Sequence, residues 1–183
     1  HDHHPSGGYS LRVLTAERPL QPGRSTQLRP GFPYPPDLIP EVSMNIVVYA
    51  ICKNEVQFAQ RWMCSMSEAD QVVVLDTGSD DGTPDRLRAL GAQVSQELIS
   101  PWRFDTARNR SLELVPEDAD ICVCTDLDEV FHPGWRAALE AAWTDGTTQA
   151  VYRYTWNFNA DGSEGTVFWI EKIHARRGYR CLL

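Results

Sequence analysis

With 183 residues, 42% of them hydrophobic, the chain is long enough to bury one sizeable core, and a single domain with a tail is expected. Its formal net charge of −8 falls on residues 45–183, because residues 1–44 carry four basic and four acidic groups; that balance argues against a general nucleic-acid binder, which needs clustered Lys and Arg. No apolar run approaches the roughly 20 residues of a membrane span, no secretory signal pattern opens the sequence, and five cysteines without CxxC or Cys/His zinc spacing suit reduced thiols in a cytoplasmic protein.

Eight of the twelve prolines fall in the first 40 residues, densest at Pro30-Gly31-Phe32-Pro33-Tyr34-Pro35-Pro36. Proline removes backbone donors and favours extended chain, so residues 1–44 are expected to form an arm or linker; a proline-rich peptide ligand is the less favoured alternative. His1, His3 and His4 read as an unstructured end sooner than as metal ligands, and the absence of an initiating Met is compatible with a fragment. From residue 45 the pattern is regular. Asn45–Ile51 is a β-branched apolar run and predicts a buried strand. In Glu55–Ser67, Ala59, Trp62, Met63 and Met66 repeat at helical spacing. Gln71–Leu75 predicts a second strand ending at Asp76, and Thr83-Pro84-Asp85 predicts a helix start with Thr83 as the capping hydroxyl. Leu87 and Leu90 face inward from that helix, and Gly91 suits its end. Ala92–Ser95 is a short strand. A helix capped by Asp105 is expected to run to about Val115, stopped by Pro116.

Asp120–Thr125 predicts another buried strand, with Cys122 and Cys124 on one face. Pro133 opens a helix carrying Trp135, Ala138, Leu139 and Ala142 at helical spacing. Ala150–Phe158 alternates, with Tyr152, Tyr154, Trp156 and Phe158 on one side, and Asp161-Gly162 fits a turn into a strand at Thr166–Ile170. Strands alternating with helices predict an α/β layered domain with a mostly parallel sheet.

Three polar clusters follow three apolar strands: Lys53-Asn54-Glu55, Asp76 to Thr83, and Asp126-Leu127-Asp128-Glu129. In an open parallel sheet the C-terminal strand ends line one crevice, where ligands bind. Asp126 and Asp128, one residue apart at a strand tip, can aim two carboxylates at one cation, and hard oxygen ligands suit Mg²⁺ or Mn²⁺ bound together with substrate phosphates. An acidic capping turn is the alternative reading. A diphosphate beside two carboxylates needs such a cation, because like charges about 4 Å apart repel by roughly 4 kcal/mol at an effective dielectric of 20. The Asp76–Thr83 run is a Gly-rich turn whose Asp76 can accept a hydrogen bond from a base or ribose. It matches neither an EF-hand nor a Walker loop.

Arg103, Arg108 and Arg110 surround the expected N-terminus of a helix, a place that favours anions. Arg108 is the preferred donor-site arginine, with a salt bridge the alternative. Trp102 and Phe104 read equally as core. His174 reads as a structural histidine ahead of a metal ligand or acceptor contact.

Ile51-Cys52-Lys53-Asn54-Glu55, Arg61-Trp62, the run Val73 to Thr83, Ala107-Arg108-Asn109-Arg110 and Asp126-Leu127-Asp128-Glu129 resemble, in that order, the N-terminal donor-binding portion of family-2 glycosyltransferases with the GT-A fold. The resemblance spans residues 45–180. It implies a GT-A-like nucleotide-binding α/β/α sandwich over residues 45–183 that binds a nucleotide-diphosphate sugar, a UDP-sugar by preference. Asp76 and Thr77-Gly78 would lie at the base, with Lys53, Asn54 and Glu55 lining the same pocket. Asp126 and Leu127 would approach the ribose, and Asp126 and Asp128 would hold Mn²⁺ or Mg²⁺ on the diphosphate, the DXD arrangement. The family typically transfers the sugar with inversion to a glycan, peptide or small-molecule acceptor, using a carboxylate base. Relatives continue past Arg176–Arg180, so the domain is expected to be incomplete at its C-terminus. Glu164 and Glu171 are both open as the base, which stays unassigned. Two alternatives stand beside this reading. One is a nucleotide-sugar-binding module without turnover. The other is a Mg²⁺-dependent phosphatase, since Asp126-Leu127-Asp128-Glu129-Val130 superficially resembles a haloacid-dehalogenase nucleophile strand; that family also needs a downstream Lys and paired acids, and Lys172 is the only lysine after Val130.

Overall fold

The structure, a computed structural model, describes residues 11–15 and 43–182. The expected proline-rich stretch at Pro30–Pro36 and the histidines at the start lie outside the described residues. The elements in chain order are β1 (Leu11–Thr15), β2 (Ile46–Cys52), α1 (Val56–Ser65), β3 (Gln71–Asp76), α2 (Thr83–Ala89), β4 (Gln93–Gln96), α3 (Phe104–Glu113), β5 (Ile121–Thr125), α4 (Trp135–Ala142), β6 (Thr147–Thr155) and β7 (Val167–Ala175).

One sheet runs β1-β6-β7-β5-β2-β3-β4. The pairs β5/β2, β2/β3 and β3/β4 are parallel. Strand β7 is antiparallel to both β5 and β6, so β6 points with the parallel set and only β7 and β1 oppose it. The mostly parallel direction expected from the sequence therefore holds, with an antiparallel β6–β7 hairpin added on one flank. That hairpin is longer than the alternation suggested: β7 begins at Val167 and continues to Ala175.

Residues of β2 alternate between two cores, as strand geometry requires. Ile46, Val48, Ala50 and Cys52 face α1, α2 and α4 through Ala59, Trp62, Met66, Leu87, Trp135 and Leu139. Val47 and Tyr49 face the other way with Cys122, Cys124 and Leu112 of α3. Helices on both faces give the expected α/β/α layering. Cys52, Cys122 and Cys124 are buried free thiols as expected, whereas Cys64 is exposed. Among the described residues no helix is long and apolar enough to cross a membrane.

Two capping expectations are corrected. Thr83 is the first residue of α2, behind Gly82 at φ 86°, and it does not cap its own helix. Its hydroxyl accepts from Glu55 N (2.9 Å), and Asp81 accepts from Val56 N (3.1 Å) and Thr83 N (2.9 Å). The open N–H groups at the start of α1 are thus satisfied across the sheet edge by the next loop, a tertiary form of capping. Asp105 lies inside α3 and pairs with Arg103 instead of capping. Trp102 and Phe104 are both exposed, so neither is core.

Candidate functional site

The register of the parallel strands brings the polar clusters to one edge. Cys52 is level with Asp76 across β2/β3, and Ala50 with Thr125 across β2/β5. Asp76 and Asp126 therefore emerge from strands flanking β2, about 10 Å apart at two strand spacings. Helix α1 is pinned to the same edge. The buried Trp62 donates its indole N–H to Thr125 Oγ1 (3.1 Å), and Arg61 donates to the Asp128 carbonyl (3.1 Å).

On the β2–β3 side the two loops are sewn together by neutral hydrogen bonds. Asn54, with φ 57° in the left-handed region Asn tolerates, donates its N–H to Ser79 Oγ (2.8 Å) and accepts from Asp80 N (2.9 Å). Thr77 donates both its N–H and hydroxyl to Cys52 O. Asp76 is fully buried. Its Oδ1 accepts from Gly78 N (3.2 Å), Ser79 N (3.0 Å) and Gln96 Nε2 (3.3 Å), and its Oδ2 from the Ser79 hydroxyl and Cys52 Sγ. Burial pushes this carboxyl upward, but the Ser79 and Gly78 donors outweigh it and hold it below its ordinary value. The structure thus makes Asp76 an internal organiser of the loop, and Ser79 and Gln96 surround the carboxylate expected to meet a base. A cavity of about 240 Å³ lined by Gly78, Ser79, Gln96, Glu97 and Leu98 opens beside it. A larger cavity of about 340 Å³, lined by Glu117–Asp120 and Ala175–Arg177, sits where β5 begins, at the opposite edge from the polar clusters.

The β5 side is built from charge. Arg108, buried in α3, donates to Thr125 O (3.2 Å) and Cys124 Sγ (3.0 Å) and forms a salt bridge with Asp126 Oδ1. Lys172 of β7 meets Asp126 Oδ2 at 2.7 Å and also pairs with Glu129 Oε1. Glu129 in turn accepts from Asp126 N (3.3 Å). For Asp126, burial acts upward, and Arg108 and Lys172 outweigh it, keeping the carboxyl below its usual range. For Glu129, burial dominates over Lys172 and its pKa is raised. Burial, with Asp128 and Asp126 nearby, also raises half-buried Glu55.

Arg108, the preferred donor-site arginine, is held in a salt bridge, the alternative that its sequence context left open. Arg108 lies in the second turn of α3, turned inward onto Asp126. Arg103 is taken by Asp105, and Arg110 by Glu97 and Glu113. Glu164 pairs with Arg153 and Thr155 on the β6–β7 hairpin, and Glu171 is exposed near Gln149; neither contacts Asp126. His174 is structural: its Nε2 meets the Tyr49 hydroxyl (2.8 Å), its Nδ1 meets Ala175 O (2.9 Å), and it stacks on Tyr179 at 3.6 Å. Burial lowers its pKa to about 4, so the ring is neutral, with Nδ1 donating to the carbonyl and Nε2 accepting from Tyr49.

Among the described residues no group of three or more His, Cys, Asp or Glu side chains forms a metal cage. The donor chemistry still suits a hard cation held partly by its ligand. Asp128 is exposed beside Asp126, and Mg²⁺ commonly uses one or two carboxylates plus substrate phosphates. A cation ligated to Asp126 Oδ2 at about 2.1 Å would lie within about 4.8 Å of Lys172 Nζ, which is 2.7 Å from the same oxygen. At that separation a dication and an ammonium repel by about 7 kcal/mol at an effective dielectric of about 20. A cation at Asp126 would therefore compete with Lys172 for this carboxylate. Lys172 is the site residue that motif reading missed; strand alternation places it on the same face as buried His174, a signal of an inward lysine.

These features define an α/β domain with a ligand crevice at the C-terminal strand edge and an acidic, internally compensated centre. No family model matches the chain. Among solved structures it is similar to glucosyl-3-phosphoglycerate synthase of M. tuberculosis, at 28% identity over 58% of this chain and 44% of that one, TM-score 0.49. It is also similar to a mycobacterial protein, at 27% identity over 58% and 39%, TM-score 0.48, and to the 1-349 portion of S. aureus TarS, at 20% identity over 54% and 32%, TM-score 0.47. The synthase has been solved with UDP and Mn²⁺ or Mg²⁺. The chain spans less than half the length of each of these three structures.

Proposed function

We propose that this chain is the donor-binding portion of a metal-dependent glycosyltransferase that takes a UDP-sugar and transfers the sugar with inversion. The observation that carries the reading is the register of β5, β2 and β3, which brings the C-terminal ends of β5 and β3, and with them Asp126 and Asp76, to one edge. The cavity beside Gly78 and Ser79 takes the base, with Asn54 and Thr77 fixing the loops around it. Asp126 and Asp128 hold Mn²⁺ or Mg²⁺, which neutralises the leaving diphosphate when bound. An acceptor hydroxyl on a glycan, peptide or small molecule attacks the anomeric carbon, the bond to the β-phosphate oxygen breaks, and a base takes the hydroxyl proton. Arg108 orients Asp126 from below, and buried Leu127 anchors the turn between the two aspartates.

A thermal-shift screen of nucleotide sugars with Mn²⁺ tests this reading, because a ligand stabilises only what it fits. UDP-sugars should raise the melting temperature in Mn²⁺ and not in EDTA; a panel with no stabilised member contradicts the assignment. The phosphatase reading gains one feature, the Lys172–Asp126 ion pair. Hydrolysis of phosphate monoesters that is lost in Asp126→Asn and indifferent to UDP would decide in its favour.

A further inference from the structure

Lys172 takes no part in the donor-site reading above, yet it occupies the centre of the acidic cluster. Its ammonium bridges Asp126 and Glu129, and its side chain is only 18% exposed. We propose that Lys172 is a built-in counterion that holds the cation position at Asp126 in the metal-free chain, so that a divalent metal gains this carboxylate only by displacing it. The inference rests on the donor-site reading in taking Asp126 as a metal ligand.

Two observations favour displacement of Lys172 over displacement of Arg108. Arg108 is fixed by three acceptors, Thr125 O, Cys124 Sγ and Asp126 Oδ1, with a side chain 5% exposed. Lys172 has two partners, both carboxylates, and a flexible four-carbon stem. The released ammonium then stands beside the position of a diphosphate, where its charge is favourable. Metal affinity without nucleotide is accordingly weak, and metal and nucleotide bind together.

Mn²⁺ titration of the chain without nucleotide, followed by electron paramagnetic resonance of the free ion, tests this directly. Lys172→Met should bind Mn²⁺ at least tenfold more tightly than the parent chain, Lys172→Arg should stay weak, and adding Asp126→Asn to Lys172→Met should abolish the gain. Equal or weaker binding by Lys172→Met, or a gain that survives Asp126→Asn, overturns the proposal. Should Lys172→Met fold poorly because Glu129 is left unpaired, the same comparison between Glu129→Gln/Lys172→Met and Glu129→Gln removes the orphaned charge, and the same tenfold gain is required. UDP binding by the parent chain in Mn²⁺ is a separate readout: its loss removes the donor-site reading, while the Mn²⁺ titration alone judges Lys172.

Discussion

The two halves of the candidate site are stabilised in opposite ways. Around Asp76 the loops are held by neutral donors, with hydroxyls, amides and backbone N–H groups meeting one buried carboxylate. Around Asp126 the contacts are between full charges, Arg108 and Lys172 against Asp126 and Glu129. A carboxylate satisfied by neutral donors needs no further ion, and that half would suit recognition of a base by shape. A set of compensated charges can be rearranged by adding one more ion, and it would suit the proposed binding of a dication and a diphosphate. The candidate crevice thus has one half held by hydrogen bonds to a single carboxylate and one half held by ion pairs.

Substitutions should separate the halves by size of effect. Arg108→Met should be the most damaging, about 3 kcal/mol in chemical denaturation, because breaking a buried pair leaves Thr125 O and Cys124 without their donor; the partial exposure of Asp126 keeps the cost at the lower end of the usual range. A pH effect of up to similar size is expected from the layer beneath. His174 titrates near its ordinary 6.5 in the unfolded chain and at about 4 when folded. The unfolded state therefore binds the extra proton in between, and up to about 3 kcal/mol of stability should be lost as pH falls through that window. Denaturation midpoints in His174→Gln should be flatter between pH 6.5 and 4.5 than in the parent. Asp76→Ala should cost about 2 kcal/mol by orphaning Ser79 and Gly78 N–H groups, and it should weaken nucleotide binding with and without metal alike. Gly78→Ala should cost about 1 kcal/mol. Gly78 sits at φ +111°, and an added Cβ would meet Leu98 Cδ2 at 2.5 Å, a clash that the flexible Leu98 side chain can relieve.

The framework was legible because it is written locally. Ile121–Thr125 is buried throughout and reads as an apolar run, and the placing of Asp76 and Asp126 at one edge follows once three such runs are parallel. What escaped the sequence lies across long separations. Thr83 obeys the local rule for a helix cap, but it serves Glu55 28 residues away, and the tertiary partner wins. The sequence puts Arg108 near a helix N-terminus, and the helix, which begins at Phe104, turns its guanidinium under the sheet edge onto Asp126, 18 residues away. Lys172 reaches Asp126 from 46 residues downstream on an antiparallel strand, a pairing that the α/β alternation did not predict. Asp76 offers acceptor oxygens in the sequence, and the loop geometry shows backbone N–H groups and the Ser79 hydroxyl using them.

The central claim is that the β5 carboxylates bind a diphosphate through a divalent cation. Calorimetry of UDP binding to the parent chain and to Asp128→Ala, each in Mn²⁺ and in EDTA, tests it most directly. The account predicts binding that Mn²⁺ strengthens at least tenfold and that Asp128→Ala reduces to the EDTA level. Equal UDP affinity in Mn²⁺ and EDTA, or an unaffected Asp128→Ala, would contradict it.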